Sequence, residues 1–212
     1  MRLARELDPV EIRILGSLLE KQQTTPDAYP LTRNALVLGC NQRSNREPVT
    51  DFADAEVEGA LERLRELVLV WKVEGARTER WEHNLDARWE LHGDAKAVLT
   101  LLFLRGAQTP GEIRTRAERM HDFATLADVE ASLQRMASEP EPLVFELPRR
   151  PGQKEARWSH LAGSAPPGTA RPEPIATADE EVTLARRVAR LESLVAELDA
   201  ELRSLKQKLG EK

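Results

Sequence analysis

Apolar residues recur at helical spacing in the N-terminal third of the chain. Ile12, Leu15, Leu18 and Leu19 make one stripe. Asp8-Pro9-Val10-Glu11 precedes it and carries an N-cap, a proline suited to the first helical position and a glutamate that closes a capping box. Thr24-Thr25-Pro26-Asp27 ends this helix. A short second helix is predicted from about Thr32 to Cys40, with Ala35, Leu36 and Cys40 inward. A polar loop runs from Asn41 to Pro48. A third helix, starting near Asp51 or Asp54, turns Val57, Ala60, Leu61, Leu64 and Val68 inward.

The period then shortens to that of a strand. Leu69, Trp71 and Val73 alternate with Val70, Lys72 and Glu74, and Gly75-Ala76-Arg77-Thr78 reads as a turn. Arg80-Trp81-Glu82-His83 and Arg88-Trp89-Glu90-Leu91 supply further strand. Three helices followed by a hairpin is the winged-helix order. A plain three-helix bundle leaves the Trp-rich alternation unexplained.

The plan repeats. A helix from about Asp94 to Arg105, whose Ala97–Leu104 run suits burial, is followed by Gly106. Thr109-Pro110-Gly111-Glu112 is a second capping box ahead of Ile113, Ala117 and Met120. Thr125-Leu126-Ala127-Asp128 opens a helix with Val129, Leu133 and Met136 inward. Leu143, Phe145 and Leu147 alternate as a strand, residues 148–154 form a hairpin tip, and residues 156–160 return. Val57 to Leu64 parallels Val129 to Met136, and Arg80-Trp81-Glu82-His83 parallels Arg157-Trp158-Ser159-His160. Both matches fall at equivalent places, so the chain reads as two copies of one fold.

Residues 163–178 hold four prolines and almost no large apolar side chain, which marks a linker. Beyond it, Leu184, Val188, Leu191, Val195, Leu198, Leu202, Leu205 and Leu209 alternate spacings of four and three. That unbroken heptad seam is the signature of a coiled coil, and β-branched residues at one position with Leu at the other favour two parallel strands. Arg187 with Glu192 and Glu201 with Lys206 fit bridges between parallel chains. The seam points to a homodimer; the alternative is an amphipathic helix docked on its own domains. The expected architecture is mainly α with small β-hairpins (α+β): winged-helix domains over 1–92 and 93–162, a linker over 163–178 and a coiled-coil helix over 179–212.

Composition narrows the class. The chain has 212 residues and a net charge of −5, with one cysteine. No apolar run reaches the roughly 18 residues of a membrane span, and Met1–Asp8 lacks a secretory apolar core, so the expectation is a cytoplasmic protein. Cys40 alone excludes an internal disulfide.

One resemblance is specific. Thr25-Pro26-Asp27-Ala28-Tyr29-Pro30-Leu31, Asn34-Ala35-Leu36 and the run from Gly39 through Cys40-Asn41-Gln42-Arg43-Ser44-Asn45-Arg46 to Val49 resemble the signature of the bacterial YceH family. Glu82-His83-Asn84-Leu85 and Leu104 to Arg114 resemble it too. The likeness covers about residues 8–162. It implies tandem winged-helix domains in a cytoplasmic protein, and the family is one of uncharacterised function.

Charge bears on what such modules bind. Winged helices commonly set the third helix in the major groove and the wing on phosphates. Here residues 1–92 carry 13 basic and 17 acidic side chains, and residues 93–162 carry 10 of each. The first module's third helix holds Asp54, Glu56, Glu58, Glu62 and Glu66 against Arg63 and Arg65. DNA binding gains mainly from neutralising phosphates, which an acidic helix opposes. Two basic clusters remain as candidate nucleic-acid contacts: Arg149, Arg150 and Lys154 at the second wing tip, and Arg114, Arg116 and Arg119 on the short helix before it. Their alternative is solvated surface.

Asn41, Gln42, Arg43, Ser44, Asn45 and Arg46 form a candidate binding loop. Amides and guanidinium groups read bases and also suit peptide backbones; the structural alternative is that they pin the loop to the helices. His83 and His160 each follow a Trp by two residues with no second ligand at zinc spacing, so packed strand histidines are expected and no metal. Trp71, Trp81, Trp89 and Trp158 suit a hairpin core. No nucleophile triad, paired-carboxylate motif or phosphate-binding Gly loop stands out, so no cofactor and no catalysis are expected. Two readings survive: a DNA-binding, transcription-associated regulator acting as a coiled-coil dimer through basic wings, or a protein-interaction adaptor built on acidic winged helices without direct DNA binding.

Overall fold

The computed structural model describes residues 3–73, 78–138, 140–149 and 155–163. All of them fall in one compact unit, Met1–Arg171. The second unit, Pro172–Lys212, lies outside the described residues, and with it the whole heptad seam. The expected linker lies outside them too, apart from Gly163.

The first half runs α1 (Pro9–Thr24), a 3-10 turn (Pro26–Ala28), β1 (Leu31–Thr32), α2 (Arg33–Cys40), α3 (Asp54–Glu66), β2 (Val70–Val73), β3 (Arg80–His83) and α4 (Leu85–Trp89). The second half runs α5 (Gly93–Arg105), α6 (Pro110–Ala117), α7 (Leu126–Ser138), β4 (Val144–Leu147) and β5 (Arg157–His160). This is a mixed α+β chain with small antiparallel sheets. Asp8 caps α1 by accepting from the Val10 and Glu11 amides, and Glu11 answers by accepting from the Asp8 amide. Thr109 and Glu112 do the same for α6.

The repeat is visible in hydrogen bonds. The first sheet has strand order β1-β3-β2, with Leu31 opposite Trp81. In the second half Gln108 stands where Leu31 stands: it exchanges two backbone hydrogen bonds with Trp158, at 3.0 and 2.8 Å, beside the β4-β5 hairpin. Arg80 donates to the Pro30 carbonyl at 2.7 Å, and Arg157 donates to the Ala107 carbonyl at 2.7 Å. Val57, Ala60, Leu61 and Leu64 of α3 are buried, as are Val129, Ser132, Leu133 and Met136 of α7.

The two halves share one apolar core. Their first helices, α1 and α5, pack against each other, and Ala97–Leu104 is buried along its length. Gly16 permits the approach: a Cβ there would lie 2.9 Å from Leu104 Cδ2 and 3.0 Å from Phe103 Cβ. Two backbone bonds tie the halves further. Glu47 N–H donates to Leu104 at 2.9 Å and Leu7 N–H donates to Ala162 at 2.8 Å.

Three expectations need correction. Residues 88–91 are not strand, because Leu85 and Trp89 sit one helical turn apart and α4 buries both. Glu90 follows in a left-handed conformation, φ +53°, and returns Leu91 to the core. Val68 is not on the buried face of α3; it lies past the helix end at φ +59°, where the chain reverses into β2. Leu69 and Val70 are both buried beyond that reversal, and Trp71 is 45% exposed rather than part of a hairpin core. The sequence pattern also missed β1, which is two residues long.

Candidate functional site

The loop after α2 is held mainly from within. Arg46 is 5% exposed and donates to both oxygens of Glu20, at 3.1 and 2.6 Å, and to the Gly39 carbonyl at 2.9 Å. Asn41 donates to the Phe52 carbonyl at 2.9 Å and accepts from the Phe52 amide at 2.8 Å, which closes the loop into α3. Gln42 turns its amide to Ser44, and Asn45 takes φ +59° and accepts from Arg105. Arg43 and Ser44 are exposed.

Beneath this loop lies Arg13, which the sequence reading did not single out. It is 4% exposed and donates to the carbonyls of Cys40 (3.0 Å) and Pro48 (2.7 Å) and to the Thr50 hydroxyl (3.0 Å). Burial, and then nearby Arg46, lower its pKa. The available signal was an arginine flanked by Ile12 and Ile14 within a helix rich in apolar residues.

The exposed face of α3 is acidic, and its arginines are occupied. Arg63 turns back to Asp8 (2.7 Å) and Glu11 (3.2 Å) at the start of α1. Arg65 pairs with Glu62 at 2.7 Å. Arg33, from α2, bridges Asp54 (3.1 Å) and Glu58. Asp54, Glu56, Glu58 and Glu66 remain exposed beside them. On α7 the exposed positions include Ala127, Ala131 and Gln134, while Arg135 pairs with Asp94 at 2.6 Å.

The second basic cluster divides. Arg114 donates to the carbonyls of Phe123 and Ala124 and ties α6 to the following turn. Arg116 and Arg119 instead line a cleft of about 330 Å³ between the halves, with Lys21, Gln42, Asn45 and Arg105. Two sequence candidates, the loop and the α6 arginines, thus meet in one place. Lys21 and Arg105 belong to the same wall, and the sequence reading missed both because their elements are far apart in the chain. Burial first, then the positive charge of Arg116, hold the Arg105 guanidinium below its usual pKa. Arg149 is exposed. Arg150 and Lys154 lie outside the described residues.

Neither histidine builds a reactive centre. His83 accepts from the Leu85 amide through Nδ1, so its Nε2 carries the proton and donates to Gln22 at 2.8 Å. His160 packs edge-on against Phe103, with ring centroids 5.1 Å apart. Burial pushes both pKa values down to about 4. Burial raises the Cys40 thiol to about 11, which keeps it protonated and unreactive at neutral pH. Among the described residues no His, Cys, Asp and Glu cluster fits a metal ion, and no helix is long and apolar enough to cross a membrane.

Known proteins resemble this chain over most of its length. A family model described as "Protein of unknown function, DUF480" matches residues 7–153. A UPF0502 protein of Acidovorax sp. (strain JS42) is 44% identical over 214 residues, covering 97% of this chain and 95% of the relative. A UPF0502 protein of Azoarcus sp. (strain BH72) is 47% identical over 203 residues, covering 95% and 90%. One from Dechloromonas aromatica (strain RCB) is 45% identical over 199 residues, covering 92% and 93%. With 97% of the chain matched, the likeness extends past the family-model region into the C-terminal segment. The signature around Cys40–Arg46 and the length of these matches agree, and the chain belongs to the UPF0502 (DUF480, YceH) family.

Proposed function

We propose that the chain is a non-catalytic adaptor whose two modules are winged helices, the first docking a basic protein segment on its acidic α3 face. One observation carries this reading. Every arginine on or beside α3 is engaged by carboxylates, so the helix that reads DNA in such folds offers none of them free to a phosphate. The module assignment is supported by the order of three helices and a hairpin in both halves, with β1 in the first half and the Gln108 bridge at the same place in the second. The eight seam positions support assembly as a parallel homodimer. A dimer presents two acidic faces, and tethering them raises the effective concentration for a bivalent partner.

The test is a titration of the full chain with a lysine-rich peptide, followed by amide NMR shifts. Shifts centred on α3 that shrink with salt, and that Asp54→Asn/Glu58→Gln weakens, are expected. Shifts absent at low salt overturn the reading. Sedimentation equilibrium tests the dimer, which Leu191→Asp/Leu198→Asp should convert to monomer.

A second reading has its own observation. Arg119 and Arg149 are exposed and make no ion pair among the described residues, and Arg150 follows Arg149 in sequence. These groups suit a nucleic-acid backbone, so weak, salt-sensitive DNA binding through the second module is the competing outcome.

A further inference from the structure

The cleft between the halves stands apart from the α3 face, and its charges do not cancel. Three helices and a turn deliver four cations to it: Lys21 from the last turn of α1, Arg105 from the end of α5, Arg116 from α6 and Arg119 just beyond α6. Two carboxylates line the same space, Glu20 and Glu118. Glu20 already binds buried Arg46 with both oxygens, and at Arg105 the attraction of Glu47 and Glu20 is opposed by burial and by the charges of Arg116 and Arg46.

The bonding of each cation shows what is left over. Arg105 donates to the amide oxygen of Asn45, a neutral acceptor. Arg116 donates to Gln108 at 2.7 Å and has Glu112 only at 3.6 Å. Lys21 reaches Gln42 at 3.4 Å and Glu20 at 3.7 Å, both long contacts. Arg119 makes no ion pair among the described residues. The hydroxyls of Thr24, Thr25 and Thr115 are spent on carbonyls of their own helical turns. Like charges are therefore held together by the packing of α1, α5 and α6, and Glu118 with the Arg46-bound Glu20 leaves the four cations short of matching negative charge.

We propose that this cleft binds a small phosphate-bearing anion. Guanidinium groups match phosphate oxygens as paired, charge-assisted donors, and Lys21 adds a point charge. A volume of about 330 Å³ suits a compact ligand, near the lower end of the roughly 300–1,000 Å³ usual for small-molecule sites. It is a concave space between helices, not the extended convex face on which a duplex lies. Because Gln42 and Asn45 belong to the loop and Arg105 and Arg116 to the second half, the ligand would clamp the two modules together.

The test is calorimetric titration of the full chain with inorganic pyrophosphate and, separately, with a nucleoside diphosphate. Saturable binding is expected with at least one of them. Binding of pyrophosphate assigns the site to the free anion, and binding of the nucleotide alone assigns it to a phosphorylated organic ligand. Arg105→Gln and Arg119→Gln should each weaken binding about ten- to a hundredfold, the loss of one charge-assisted hydrogen bond. Arg119→Gln removes no ion pair among the described residues and should leave the melting temperature unchanged, so its loss of binding is not a folding defect. Arg149→Gln, on the hairpin, should change affinity less than twofold. No heat with either probe at low salt overturns the proposal. So does binding that survives both Arg105→Gln and Arg119→Gln, or a duplex that binds through these arginines while both small probes do not.

Discussion

The two halves share a skeleton and differ in how they settle their charges. Trp81 and Trp158 are buried at equivalent strand positions, and Arg80 and Arg157 make the same bond to the residue before Leu31 of β1 and before the Gln108 bridge. On that frame the first half answers each arginine near α3 with a carboxylate, while the second half leaves Arg105, Arg116 and Arg119 short of partners at its border with the first. Burial of apolar faces fixes the repeat; surface charge is free to diverge because exposed pairs contribute little to stability. Function is therefore to be sought where the copies differ.

The largest effect separates the loop of the first half from its counterpart. The loop hangs on Arg46, so Arg46→Ala leaves buried Glu20 with only the long 3.7 Å contact to Lys21 and should cost about 3–5 kcal/mol. Urea unfolding of the single and Glu20→Met/Arg46→Met double variants checks this. The double variant should be much closer to wild type, because it leaves no charge orphaned.

The equivalent histidines sharpen the comparison through pH. Unfolded, each takes its proton at about 6.5; folded, both stay neutral down to about 4. Their stabilisation is complete above the unfolded value and is lost as pH falls through that window. For His83 the loss reaches about 3 kcal/mol, and His83→Gln should flatten the thermal-stability profile between these limits. His160 packs on Phe103 and its Nδ1 has no hydrogen-bond partner among the described residues, so His160→Phe should be tolerated where His83→Phe is not.

Gly16→Ala tests the joint between the halves. The added methyl meets Leu104 and Phe103 at about van der Waals overlap, and overpacking of this kind costs about 1–3 kcal/mol, against a helix-propensity gain of about 1 kcal/mol. A small net destabilisation by differential scanning calorimetry is expected. The smallest effect belongs to the exposed pairs: Arg33→Ala should change stability by less than about 1 kcal/mol, yet it makes the α3 face more acidic and should tighten binding of the lysine-rich peptide.

Much of this was legible in the sequence, and the gaps have physical causes. Capping boxes at Asp8 and Thr109, the inward set of α7 and that of α3 from Val57 to Leu64 are local patterns, and each formed where expected. Residues 88–91 misled because an apolar residue every second position also fits a single helical turn that ends in a left-handed Glu90. Val68 misled because its positive φ, uncommon for a β-branched residue, cannot be read from hydrophobic spacing. The loop residues were visible as unusual, but whether they bind or brace depended on Glu20 and Arg13, which face them from another helix. The cleft was the least legible feature, since Lys21, Asn45, Arg105 and Arg119 converge only after α1 and α5 pack.

Fluorescence anisotropy of a labelled mixed-sequence duplex, titrated with the full chain at about 50 mM salt, tests the central claim most directly. Nonspecific DNA binders reach dissociation constants of roughly 10⁻⁴–10⁻⁶ M at physiological salt and bind more tightly below it. With its α3 arginines engaged by carboxylates, this chain should give no salt-sensitive binding in that range. Micromolar binding that weakens steeply as salt rises, and that falls on Arg149→Ala/Arg150→Ala, would contradict the adaptor reading and make the second module a nucleic-acid contact.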